Sequence, residues 1–141
     1  MKKILTITAI CMLLLTGCGG KGRAITKAIS TNDHVSIDEK ITSDNVNRYV
    51  RRNMTALMYA IYSGASMQTI QEIINKGANI NFANKKHHDA IYYSIVYDRI
   101  DVLKYLVSLG AKPTLSLEFL KDIAEKKGLT HMHEYLQSLK F

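Results

Sequence analysis

The chain has 141 residues and a formal charge of +7, from 19 Lys and Arg against 12 Asp and Glu. That length holds one domain, two at most, and excludes a (β/α)8 barrel or a dinucleotide-binding enzyme with a separate substrate domain. A single proline and no tryptophan argue against a proline-rich linker or an immunoglobulin-type sandwich, while 47% hydrophobic residues is ordinary for a folded domain.

Taken from the N-terminus, Lys2 and Lys3 precede an uncharged, mainly apolar run of twelve residues, Ile4 to Leu15. A membrane-spanning helix needs about twenty such residues, so the run has the length of a signal-peptide core instead. It ends in Leu15-Thr16-Gly17-Cys18, which is similar to the lipobox of bacterial lipoproteins. The resemblance implies a signal peptide over residues 1–17, cleavage before Cys18, and lipid on the Cys18 thiol. Cleavage would also remove Cys11, leaving an acylated cysteine and no disulfide. Gly19-Gly20-Lys21-Gly22-Arg23 follows, and three glycines in five residues weaken a helix. Residues 18–23 are therefore expected to be a flexible tether.

Beyond the tether the patterning is helical and recurrent. Lys76-Gly77-Ala78-Asn79-Ile80-Asn81 is echoed by Leu109-Gly110-Ala111-Lys112-Pro113-Thr114, with Gly77 and Gly110 separated by 33 residues. Small residues at Ala28, Ala60, Ser94 and Ala124 are spaced by 32, 34 and 30. Four positions after each stands Asn32, Gly64, Asp98 or Gly128, all suited to a turn after a helix. A period near 33 marks a repeat architecture.

The period and residues resemble the ankyrin repeat. Thr55-Ala56-Leu57-Met58-Tyr59-Ala60 stands where that family opens its first helix, and Gly77-Ala78-Asn79-Ile80-Asn81 closes a unit much as the family does. The resemblance implies an all-α ankyrin-repeat solenoid of about three to four helix-turn-helix units with short β-turn fingers. The domain would cover 24–141, with units of about 24–47, 48–81, 82–114 and 115–141. Physical patterning agrees: Ile70, Ile73 and Ile74, then Val102, Tyr105 and Leu106, then Met132, Tyr135 and Leu136 each fall at i, i+3, i+4. One hairpin cannot bury such a face alone, whereas stacked hairpins can. Both central units depart from the family by lacking its proline and histidine, with Ala56 and Met58, then Ala90 and Tyr92, in those places. The usual histidine tie between units is therefore in doubt. His87 stands where the family finger has glycine and is expected to be strained; Asn53, at the equivalent place, tolerates a left-handed backbone better.

No phosphate-binding loop, nucleophile elbow, zinc-protease motif or cysteine pair occurs, so neither a catalytic site nor a cofactor is expected. His87-His88 and His131-Met132-His133-Glu134 are a poor metal set, because i and i+2 point to different helix faces. Tyr105 and Tyr135 read as core. Tyr62 and Tyr97 follow the small residue of a first helix, which in the family faces the groove, and tyrosine is a frequent interface anchor. Partial packing against a neighbouring helix is the alternative. Arg51-Arg52 precedes Thr55 as Lys85-Lys86 precedes Asp89. The resemblance puts both pairs on fingers that touch partners, and it assigns partner contact to Arg51, Arg52, Met54, Tyr62, Lys85, Lys86, His88 and Tyr97. Solvated fingertips are the alternative. Partner contact implies an acidic protein steered by charge, with anionic headgroups as the weaker choice and no nucleic acid.

Together these resemblances imply a non-enzymatic, lipid-anchored binding module, monomeric when free, on the periplasmic face of the outer membrane. Gly19 and Gly20 after Cys18, with no aspartate, favour that membrane by similarity to enterobacterial sorting. Small lipoproteins with a few ankyrin units are similar to immunity proteins that block lipases delivered by type VI secretion. The alternative is a periplasmic adaptor or stress-protection partner of an endogenous envelope enzyme.

Overall fold

The computed structural model describes residues 17–141. Of the expected signal peptide only Gly17 falls among them, and the Cys18 side chain lies outside the described residues. The described chain forms eight helices and one two-stranded hairpin, in the order α1 (Gly17–Ser30), α2 (His34–Lys40), β1 (Tyr49–Arg51), β2 (Met54–Thr55), α3 (Ala56–Tyr62), α4 (Met67–Asn75), α5 (Ala90–Val96), α6 (Ile100–Ser108), α7 (Leu117–Lys126) and α8 (Thr130–Ser138). The helices form four hairpins, α1–α2 to α7–α8, and the first helices α1, α3, α5 and α7 pack side by side.

The recurrent residues account for this geometry. Ala28, Ala60, Ser94 and Ala124 are buried, at 3%, 0%, 0% and 0% exposure. A small side chain there lets neighbouring first helices approach closely. Asn32, Gly64, Asp98 and Gly128 all take positive φ, between 51° and 71°, and turn the chain into the second helix. Side chains of Asp33, Thr55, Ser66, Asp89 and Ser116 cap the helices that follow them. The apolar faces merge into one core running from Ile25 to Leu136, with Ile70, Ile73, Val102, Leu106, Met132 and Leu136 fully buried. Tyr105 and Tyr135 are half-buried at its edge, and the Lys104 ammonium lies 5.4 Å from the Tyr135 ring centroid.

Residues 18–23 are helical, contrary to the expected tether, so the first unit begins before residue 24. The physical reason is packing. Ile25, Ala28 and Ile29 bury one face of α1, and the helix rests on β1. A Cβ added to Gly22 would stand 2.6 Å from the Val50 carbonyl oxygen. Gly22 is thus required for close approach, and tertiary burial outweighs the weak helix propensity.

Asparagine side chains supply ties between units. Asn32 Oδ1 accepts from Ser66 N at 2.8 Å and Thr69 Oγ1 at 2.9 Å. Asn47 Oδ1 accepts from Asn79 N at 2.7 Å, while its Nδ2 donates to Gly77 O at 3.1 Å. Asn81, 34 residues after Asn47, accepts from Lys112 N at 2.9 Å. Within the third unit, Asp89 Oδ2 accepts from Thr114 N at 2.6 Å. The Lys76–Asp38 ion pair and the His34–Glu72 and His131–Asp98 hydrogen bonds also join neighbouring units, but exposed pairs contribute little.

Candidate partner-binding surface

The two fingers begin from similar sequences and are held differently. Finger 1 is the β1–β2 hairpin, with Tyr49 opposite Thr55 and Arg51 opposite Met54. Arg52 and Asn53 turn it at φ 43° and 61°. Finger 2, residues 82–89, contains no strand. Its brace is Asn84, whose side chain accepts from Lys86 N at 2.9 Å and His88 N at 3.2 Å and donates to the Tyr93 hydroxyl at 3.4 Å. The Asn84 backbone donates to His88 O at 3.0 Å, and His87 makes the bend at φ 60°. Tyr49 and Phe82 join the fingers edge to face, 6.0 Å apart.

Arg51, Arg52, Lys85 and Lys86 are all exposed, and none pairs with a carboxylate among the described residues. Met54 is a correction. It is 6% exposed and belongs to the core beneath finger 1, so it is not available to a partner. At the last finger position its long apolar side chain turns inward. His88, 34 residues later, is half-buried because its imidazole lies flat on the Tyr92 ring, with centroids 3.7 Å apart.

Tyr62 and Tyr97 are exposed, at 39% and 41%, and meet edge to face with centroids 5.2 Å apart. They belong to a continuous row. Tyr59 lies 5.8 Å from Tyr62; Tyr97 stacks on Tyr93 at 6.2 Å; Tyr93 meets Tyr92 edge to face at 5.7 Å; Tyr92 carries His88. Burial, then neighbouring phenols, push the Tyr93 and Tyr97 hydroxyls above the usual tyrosine range, so they remain donors. Burial, then the Lys86 charge, holds His88 below the usual histidine range.

Charge is segregated on the molecule. From α1 through finger 1, α3, finger 2 and α5, the only carboxylate is Asp89, which is 2% exposed and spent on the Tyr92 and Thr114 amides. The exposed acids lie on the turns, on the second helices, and on α7, with Glu118 and Glu125. The surface of fingers and first helices in units 2 and 3 thus offers cations, phenols and rings without competing carboxylates.

Sequence reasoning placed the basic pairs and the two exposed tyrosines but missed Asn84, Tyr92 and Tyr93. The equivalent of Asn84 one unit earlier is Val50, so the recurrence carries no signal for it. Among the described residues no three His, Cys, Asp or Glu side chains gather as metal ligands, and no helix is long and apolar enough to cross a membrane.

Comparison with known proteins agrees with the helix-pair architecture. The family model described as ankyrin repeats, three copies, matches residues 8–116. Ankyrin repeat protein R664 of Acanthamoeba polyphaga mimivirus is 34% identical over 53 residues, covering 38% of this chain and 33% of that protein. The E3 ubiquitin-protein ligase hecd-1 of Caenorhabditis elegans is 24% identical over 138 residues, covering 82% of this chain and 5% of the ligase. The chain therefore spans a third of the viral protein and a twentieth of the worm one.

Proposed function

The chain belongs to the ankyrin-repeat family, whose fold is a protein–protein interaction module, and from that premise we propose a lipid-anchored periplasmic protein that binds an acidic protein partner. The observation that carries the binding surface is the segregation of charge. Four fingertip cations, unpaired among the described residues, and the tyrosine row lie on the fingers and first helices of units 2 and 3, whose one carboxylate, Asp89, is buried; the next acid, Asp98, follows Tyr97 and lies against His131. Such a surface repels basic partners and steers acidic ones. Tyr62 and Tyr97 then supply large, rigid rings at the C-terminal ends of α3 and α5.

The address rests on the lipobox-like Leu15-Thr16-Gly17-Cys18 behind a signal-like core. Address and architecture together support an immunity protein that binds and inhibits a phospholipase or lipase effector of type VI secretion, held by its lipid on the periplasmic face of the outer membrane. Anchoring keeps the inhibitor at the membrane the toxin attacks. The test is pull-down of the protein with the product of the neighbouring gene, followed by a lipase assay of that product. Capture with loss of lipase activity is the expected result. Capture of a resident envelope enzyme whose activity survives would replace immunity with an adaptor role. Failure of a Cys18→Ala variant to differ from wild type in acyl labelling would remove the lipid anchor.

A further inference from the structure

Finger 2 is built more tightly than a fingertip that only displays charge. One buried side chain, Asn84, fixes the Lys86 and His88 backbones and the Tyr93 hydroxyl together. The left-handed turn at His87 lies between the two held residues. The result is an imidazole seated flat on Tyr92, at 3.7 Å and 13°, with Tyr93 edge-on at 6.2 Å. We propose that His88 and Lys86, clamped by Asn84 and backed by Tyr92, form a carboxylate-binding subsite, which an acidic side chain of the partner protein fills as the His88 imidazole takes a proton from solvent.

The argument is one of complementarity. The charged or titratable groups facing His88 are Lys86, His87 and Asp89 from its own finger and Tyr92 and Tyr93 from α5. Asp89, whose two oxygens accept from the Tyr92 and Thr114 amides at 2.8 and 2.6 Å, favours the charged ring, but burial and the Lys86 charge outweigh it. Burial and the Lys86 charge disfavour the charged imidazole in the free protein. An incoming carboxylate offsets Lys86 and favours the charged ring, so filling the subsite and protonating His88 are linked. A charged ring on an aromatic face adds a cation–π contact that the neutral ring lacks. Linkage then requires tighter binding at lower pH. A carboxylate is favoured over a nucleic-acid phosphate because the Tyr92 face at this subsite, on which a base would stack, already carries the His88 imidazole.

The proposal rests on the acidic-partner reading, and the experiment separates the two. The probe is poly-L-glutamate added to the purified full-length protein, with each histidine titration followed by NMR. The His88 titration should move to higher pH on binding. Affinity for poly-L-glutamate should rise about three- to tenfold from pH 8 to pH 6. His88→Phe keeps a stacked ring, and in this variant that pH dependence should vanish while the helical spectrum is retained. If poly-L-glutamate binds but the His88 titration does not move, the subsite is wrong and the basic surface stands. If poly-L-glutamate does not bind, the acidic-partner surface is wrong as well. If polyuridylate or phosphatidylglycerol vesicles move the His88 titration further than poly-L-glutamate, the site takes phosphate, and the proposal fails.

Discussion

Fingers 1 and 2 share a basic pair, a left-handed residue and a capping residue at corresponding positions, yet they solve the same problem differently. Finger 1 pairs its strands and leans Val50 on Gly22 of α1. Finger 2 has no strands and no α1 beside it, and one buried asparagine holds it from within. The caps differ in the same sense. Thr55 accepts from one amide, Met58 N, whereas Asp89 accepts from Tyr92 N and also from Thr114 N at the far end of its unit. Position 54 is filled by a buried methionine and position 88 by a half-exposed histidine. The comparison teaches that a repeat period conserves the backbone path while its support, and so the chemistry displayed, varies from unit to unit.

Asn84→Ala should be the most damaging change in this set, at about 2–4 kcal/mol by chemical denaturation, because it orphans the Lys86 and His88 amides. The equivalent change in finger 1, Val50→Ala, removes only partly buried apolar surface and should cost less. Equal costs would mean that Asn84 is not the brace. Asp89→Ala should cost about 2–3 kcal/mol and Thr55→Ala about 1, the difference being the Thr114 tie. Asp89→Asn, which keeps an acceptor, should recover part of the loss. Gly22→Ala should cost about 1–3 kcal/mol through the approach of α1 to Val50, and Gly20→Ala, with open space around it, should not.

The smallest effects are at the turns and at His88. His87→Gly relieves a left-handed backbone but frees the unfolded chain, so a net gain below about 1 kcal/mol is expected. Asn53→Gly should gain less, since asparagine already tolerates that conformation. The pH effect has a definite sign. Folding lowers the His88 pKa, so the unfolded chain holds more protons as pH falls through the histidine range. Stability should therefore be fully present above the ordinary histidine pKa and decline slightly as pH drops below it. In His88→Phe that part of the decline should be missing from denaturation midpoints measured across the range.

Much of this fold was legible because its signals are local and periodic. The small residues and the turn residues four positions later each report a backbone requirement, and the structure places them accordingly; of each i, i+3, i+4 face it buries two members and leaves the third, Ile74, Tyr105 or Tyr135, half-buried. The positive φ of His87 and Asn53 was legible for the same reason. What was not legible depends on contacts distant in sequence. Glycines at 19, 20 and 22 read as a tether because propensity is local, whereas the neighbour that stiffens α1 is Val50. Met54 read as a fingertip because its burial is set by the core below it. Asn84 carried no repeat signal at all, and without it the relation of His88 to Tyr92 and Tyr93 could not be inferred.

The central claim is that the carboxylate-free face of fingers and first helices meets an acidic partner. The most direct measurement is the association rate of the protein with the neighbouring gene's product, at low and high salt. Wild type is compared with the Arg51→Glu, Arg52→Glu, Lys85→Glu, Lys86→Glu variant. Fingertip side chains are exposed, so the variant should keep its helical spectrum. The account predicts association slowed by about tenfold or more at low salt, with the gap narrowing as salt screens the field. An unchanged association rate in a variant that still binds would contradict it.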